Sequence, residues 1–323
     1  MSITTSDKLA FTCGDPAGVG PEIIATWLSE APAADLARVE VHGPARWLAT
    51  LPRGERFRAC PVEGMEDFAA TPGQPSEAGA RVADLALLAA SAAAREGRVA
   101  GVVTGPVAKS WMAKVGWKHA GQTEFFAAAW GGEPVMAFCG GRLRVVLATW
   151  HIPLCEVPGA LTEPVLARAA AAAVELCAAD GILGMPRIAV CGLNPHAGEE
   201  GLLGKEERDS IDPILNRLRT RHPGLSKTLP GDTVFGRQLR GDFDGVIALS
   251  HDQGLAPLKT LEFDQAVNVT LGLPQVRTSP DHGTGFDIAG RGVASASSFA
   301  SAVRVARSLV AWRGLRTAGG GVS

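Results

Sequence analysis

Short β-branched runs separated by long helical patterns constrain this chain more than any other feature. Residues 9–12, 102–104, 143–149, 188–191 and 245–249 read as buried strands. Residues 81–96, 163–179, 205–218 and 297–312 read as helices between them, with Val82, Leu85, Leu87, Leu88 and Ala92 recurring at helical spacing. Such alternation predicts an α/β protein with a mostly parallel sheet. With 323 residues, two domains or one large α/β unit is expected. The tail 319–323 is expected to fray.

Charge and composition then remove several classes of function. Lys and Arg number 31 against 33 Asp and Glu, a net charge of −2, which argues against a mainly electrostatic nucleic-acid or anionic-membrane binder. The apolar share of 46% supplies ample material for a core. No uncharged run approaches bilayer length, since Arg168, Glu175 and Asp180 interrupt the Ala-rich stretch. The first residues lack a basic segment followed by a long apolar one, so a cytoplasmic location is expected. Cys13, Cys60, Cys139, Cys155, Cys177 and Cys191 form no CxxC pair and read as reduced, mostly buried thiols. The chain has no tyrosine, which removes phenol as an acid–base group.

In open α/β sheets ligands bind where loops leave the carboxyl ends of strands. Gly- and Pro-rich segments at 14–21, 192–204, 229–233, 251–259 and 279–292 mark those loops. Three histidines share one context there: His151, His196 and His251 each follow a strand pattern. On parallel neighbours they would emerge at one rim and could hold one divalent cation, zinc being the common choice. The alternative is three separate loop histidines bonded to backbone. His42, His119 and His222 lie in polar surroundings and are expected to be solvated. Ser250-His251-Asp252 is no hydrolase triad, because consecutive side chains cannot form a relay, and no GxSxG elbow occurs. No GxxxxGK[ST] loop is present either, which disfavours a phosphotransferase.

Lys259, Asn268 and Arg277, with Gln122 and Thr123, supply the donors a phosphate monoester requires, or else form unrelated surface contacts. The run Asp281-His282-Gly283-Thr284-Gly285-Phe286-Asp287-Ile288-Ala289-Gly290 reads either as a structural turn or as a loop that backbone can bring close to a flat ligand. In the second case Asp287 would accept from ribose hydroxyls. The turn 14–22 is a tight strand–helix connection without a GxGxxG fingerprint, with Pro21 and Glu22 suited to a helix start.

These motifs together resemble a family. Gly14-Asp15-Pro16-Ala17-Gly18-Val19-Gly20-Pro21-Glu22, Thr104-Gly105-Pro106-Val107, Gly192-Leu193-Asn194-Pro195-His196-Ala197-Gly198-Glu199, His251-Asp252-Gln253-Gly254-Leu255 and Arg277-Thr278-Ser279-Pro280-Asp281-His282-Gly283-Thr284 look like the 4-hydroxythreonine-4-phosphate dehydrogenases of vitamin B6 biosynthesis. That family is distantly similar to isocitrate and isopropylmalate dehydrogenases. The resemblance implies a non-Rossmann fold of two α/β/α domains with a cleft between them. The expected division is 1–125 plus 278–323, carrying the nucleotide loop, and 126–277, carrying metal ligands and the dimer interface. It implies a homodimer with the site near the subunit interface and a ligand contributed across it. His151, His196 and His251 would ligate one divalent metal (Zn, Mg or Co), with Asp232 and Asp252 orienting them. Gln122, Thr123, Lys259, Asn268 and Arg277 would hold the phosphorylated substrate. NAD, or NADP, would lie against His282, Gly283, Thr284 and Asp287; no basic residue adjoins Asp287 to receive a 2′-phosphate, which favours NAD.

Two positions depart from the family. Its Gly-His-Thr-Glu motif is Gly121-Gln122-Thr123-Glu124 here, and Ser250 replaces the tyrosine often found before His251. Glutamine donates a hydrogen bond but carries no charge, so a weaker grip on phosphate or a different substrate follows. The implied reaction is metal-dependent oxidation of 4-phosphohydroxy-L-threonine at its 3-hydroxyl by NAD, followed by decarboxylation. Related dehydrogenases act on four-carbon sugar-acid phosphates or on cis-dihydrodiols of aromatic acids, and a non-catalytic metabolite-binding role is the remaining class. No general base is assigned, although Lys109 follows the Thr104-Gly105-Pro106-Val107 turn.

Overall fold

The structure, a computed structural model, describes residues 7–318. The tail 319–323 lies outside them. The chain divides into two compact units: residues up to Gly132 together with those from Leu273, and Glu133–Gly272. A cut at residue 125 would divide the helix Gln122–Trp130, which stays whole in the first unit. Eleven strands run in chain order as β1 (Leu9–Thr12), β2 (Val39–Gly43), β3 (Arg58–Pro61), β4 (Gly101–Thr104), β5 (Val135–Cys139), β6 (Arg144–Leu147), β7 (Ile188–Cys191), β8 (Leu225–Leu229), β9 (Gly245–Ala248), β10 (Val267–Leu271) and β11 (Val276–Pro280).

The first unit pairs β3, β2, β1, β4 and β11 in that order, all parallel. The helices Ser297–Ala318 and Glu77–Arg95 cover it, and the second shows how its sequence sets the packing. Ser76 caps it by accepting from the Gly79 N–H at 3.1 Å, with Glu77 and Arg95 at the ends where their charges suit the helix dipole. The face laid on the sheet is mostly alanine: Ala83, Leu87, Ala90 and Ala93 pack with Ala10 and Val102. Leu88, expected on that face, is 48% exposed. Small side chains let the helix approach closely, and the apolar stripe shifts around it accordingly.

The second unit orders its strands β10, β5, β6, β9, β7, β8. The β10–β5 and β5–β6 pairs are antiparallel, and β6, β9, β7 and β8 are parallel. The helix Glu163–Ala179 matches the reading from periodicity. Residues 205–218 do not form one helix: a wide π turn, Glu207–Ile211, precedes a helix at Asp212–Leu218. Glu207, 2% exposed, turns inward there and is unavailable to a regular solvated face. The Gly- and Pro-containing stretch 251–259 is not a loop but most of the helix His251–Glu262, with Pro257 inside it. Gly254 makes this possible, since a Cβ there would stand 2.6 Å from Leu147 Cδ2 and 3.0 Å from Ala248 Cβ.

The histidines set aside as solvated are otherwise placed. His42 is 3% exposed on β2, and His119 and His222 are half-buried. His119 stands edge-on to Trp117 and Phe125, with ring centres 5.0 and 5.5 Å away. Among the described residues no helix is long and apolar enough to cross a membrane.

Candidate active-site groups on the two units

On the second unit, β6, β9 and β7 are adjacent and parallel, so the segments that follow them leave the sheet at one rim. His151 lies past β6, His251 opens the helix after β9, and His196 lies in the loop after β7. The rings of His151 and His251 are 5.6 Å apart, centre to centre. Two imidazoles bound through nitrogen to one cation at ~2.0–2.1 Å hold their centres about 5–6 Å apart, so this pair suits a shared ion. Asp252 Oδ1 lies 2.7 Å from His251 Nδ1, which leaves Nε2 as the nitrogen for a metal. His196 is exposed on the loop after β7. Among the described residues the three histidines do not yet close to within 4.8 Å of one another.

The backbone under this rim is strained. His151 has φ 51°, and His196, Ala197, Gly198, Glu199 and Glu200 form a run at φ 52, 55, 80, 44 and 55°. Non-glycine residues hold such conformations only where neighbours dictate them. Glu207 is the anchor: its carboxylate accepts from Asn194 N at 2.6 Å and Asn194 Nδ2 at 2.9 Å. Gln253 is the second, accepting from Leu249 N and donating to Gly192 O, both at 2.7 Å. Neither was singled out from sequence, although Gln253 lies in a quoted motif. Asp232 is exposed in the first turn of the helix Gly231–Leu239, past β8, and among the described residues makes no hydrogen bond to a histidine. Lys259 is exposed two helical turns after His251, and Asn268 is half-buried on β10 opposite Phe138. At about 1.5 Å per helical residue, Lys259 stands about 12 Å along the helix from His251.

On the first unit, Arg277 is 4% exposed on β11. Its Nη2 donates to Thr104 Oγ1 and to Gln122 Oε1, each at 3.0 Å. Burial draws the guanidinium down to about 10, against the opposing charges of Glu124 and Asp281. The other end of the Gln122 amide donates to Gly105 O at 3.1 Å, so Gln122 locks the arginine against the turn after β4. Thr123 is buried beside it. Lys109 is exposed at the start of its helix, and its Nζ lies near Gly121: a Cβ built there would be 3.5 Å from it.

The loop 281–290 follows β11 and rests on the turn 14–22. Val19 N donates to Thr284 O at 2.8 Å, and Gly290 N donates to Glu22 Oε2 at 2.8 Å. Gly18 allows the approach, because a Cβ there would stand 2.6 Å from Thr284 O. Gly283 and Asp287 are exposed on the loop, and Thr284 is half-buried. His282 Nδ1 lies 2.9 Å from Gly283 O, while its Nε2 is buried with no hydrogen-bond partner among the described residues. A buried imidazole nitrogen without a partner, beside exposed Gly283 and Asp287, suits a ligand bearing hydroxyl or amine donors, as a nucleotide does.

Comparison with known proteins agrees with these motifs. Residues 25–306 match the family model of the pyridoxal phosphate biosynthetic protein PdxA. The 4-hydroxythreonine-4-phosphate dehydrogenase of Erythrobacter litoralis is 41% identical over 94% of this chain and 97% of its own. The crystal structure of the enzyme of that name from Klebsiella pneumoniae superposes with a TM-score of 0.78 at 34% identity, covering 94% of this chain and 99% of that one. A terephthalate 1,2-cis-dihydrodiol dehydrogenase from Burkholderia xenovorans gives a TM-score of 0.69 at 28% identity, covering 93% and 97%.

Proposed function

Because this chain belongs to the PdxA family, we propose that it oxidises 4-phosphohydroxy-L-threonine at the 3-hydroxyl with NAD, followed by decarboxylation, in pyridoxal phosphate biosynthesis. The observation that carries the reading is the histidine rim: His151 and His251 5.6 Å apart on adjacent parallel strands, with Asp252 on His251. His151, His196 and His251 would hold one divalent cation, which supplies Lewis acidity toward the substrate hydroxyl and toward charge developing on loss of carboxylate.

The protein's own groups then have distinct tasks. Asp252 keeps a proton on His251 Nδ1 and fixes the ring's orientation. Gln253 and Glu207 hold the loops that present the rings. On the first unit Arg277, aligned by Gln122 and Thr104 with Thr123 beside it, offers positive charge to an anionic group; on the second, Lys259 and Asn268 offer donors for one. The 281–290 loop would receive the dinucleotide, with His282 Nε2 accepting from it and Asp287 facing ribose hydroxyls. The working form is a homodimer in the cytoplasm.

The test is NADH formation on a panel of phosphorylated hydroxy acids and aromatic cis-dihydrodiols, with and without added divalent metal. Metal-dependent turnover of the phosphorylated hydroxythreonine is expected. Turnover of a dihydrodiol alone would replace this reading with a second one, which the likeness to the Burkholderia enzyme and the neutral Gln122 favour. No NADH from any member would leave a metabolite-binding protein.

A further inference from the structure

We propose that Glu40, His42 and Cys60 form a binding site for a thiophilic divalent cation of the zinc class, on the first unit and separate from the histidine rim. One carboxylate oxygen, one ring nitrogen and the sulfur all lie within 4.8 Å of one another, the one such set found among the described residues. The sheet builds it: Glu40 and His42 alternate on one face of β2, and Cys60 on β3 is the in-register neighbour of His42. Ala10, the in-register neighbour of Glu40 on β1, packs under the helix Glu77–Arg95, so this face is covered.

Two of the three ligand atoms are buried, and apart from an ion pair with each other and the reach of Arg98 to Glu40 Oε2 they are unengaged among the described residues. The side chains of His42 and Glu40 are 4% and 2% exposed, and neither His42 Nε2 nor Glu40 Oε2 has a hydrogen-bond partner among the described residues. They stand 3.7 Å apart. That is long for a hydrogen bond. It matches the spacing of about 3.3–3.8 Å between two ligands of one tetrahedral ion with bonds of ~2.0–2.3 Å. A movement of Cys60 by about 1 Å completes the set at such bond lengths. Cys60 is half-buried, so solvent meets the set on its side, from which a water would be the fourth ligand.

The neighbouring charges are compatible with this use. Arg58 Nη1 donates to Glu40 Oε1 at 3.2 Å, the oxygen not offered to His42, and would stay there as an outer partner of the carboxylate. Arg98 reaches Oε2 at 3.5 Å but also donates to Glu96 at 2.8 Å; it is 40% exposed and free to leave. Thiolate and carboxylate together balance a dication. Burial, and then the Glu40 charge, raise the Cys60 thiol above its ordinary value, so the empty site holds a thiol and cation binding releases its proton. A bound ion would clamp β3 to β2.

The experiment is titration of the full chain, first stripped of metal, with cobalt(II). Only a cysteine-containing site produces a near-ultraviolet thiolate-to-cobalt charge-transfer band. The band is expected to saturate at one equivalent, to be chased by zinc, to vanish in Cys60→Ser, and to persist in the His151→Ala/His251→Ala double variant. His42→Gln should weaken cobalt binding at least tenfold while circular dichroism stays unchanged. Absence of the band in the wild type, its survival in Cys60→Ser, or its loss in the double histidine variant would each overturn the proposal.

Discussion

The two units arrange their candidate groups in opposite ways. On the second, the rings of His151 and His196 are exposed on backbone at positive φ, and the loop that carries His196 is held by side chains behind it, Glu207 and Gln253. On the first, the groups themselves are built into the fold: Arg277 is 4% exposed and bonded to Thr104 and Gln122, and the 281–290 loop lies against Gly18 and Glu22. Replacing an exposed ring removes chemistry and leaves packing alone. Replacing a buried, bonded group changes both.

This contrast can be broken most sharply at His196. His196→Ala is expected to abolish metal-dependent NADH formation while leaving the melting temperature unchanged; substantial turnover, or a large drop in melting temperature, would break the comparison. Asp252→Asn should lower metal affinity or turnover by about 10–100-fold, read by chelator competition and steady-state rates. Arg277→Leu is expected to lower stability by about 1–3 kcal/mol in denaturant unfolding, because Thr104 and Gln122 lose their buried partner. It should also raise KM for an anionic substrate. Gly18→Ala puts a methyl group 2.6 Å from Thr284 O. Overpacking of this kind costs about 1–3 kcal/mol, so KM for the nucleotide should rise about tenfold with little effect on kcat. The smallest effect is expected at Gln122→His. If the pocket binds phosphate, a charged donor should lower KM for the phosphorylated substrate by about threefold to tenfold. No change, or a rise, would turn attention to an uncharged substrate.

Local pattern made much of the architecture legible. The helix Glu163–Ala179 follows from its periodic Leu and Val, and the short apolar runs around β1, β4, β6, β7 and β9 are strands. β3 and β8 carry polar residues without a clear alternation, and β2 alternates over only Val39, Glu40, Val41 and His42, so they did not stand out. The residues 251–259 misled because Gly254 and Pro257 signal a loop when taken locally. In the fold, glycine is what lets that helix lie on β6 and β9. His42 misled for the matching reason. Glu40 and Arg46 near it in sequence suggest a wet position, but β1, β3 and a helix bury it.

By itself, then, the sequence determined the α/β class, the loops that hold the polar chemistry, and the family, since these depend on period, glycine placement and motif order along the chain. Only the tertiary structure decided which of those groups meet. It seats Thr284 on Gly18, Arg277 on Gln122, and Cys60 beside His42. The physical reason is that strand order and register bring together residues far apart in sequence, and burial then decides whether a polar side chain is solvated, bonded or left waiting for a partner.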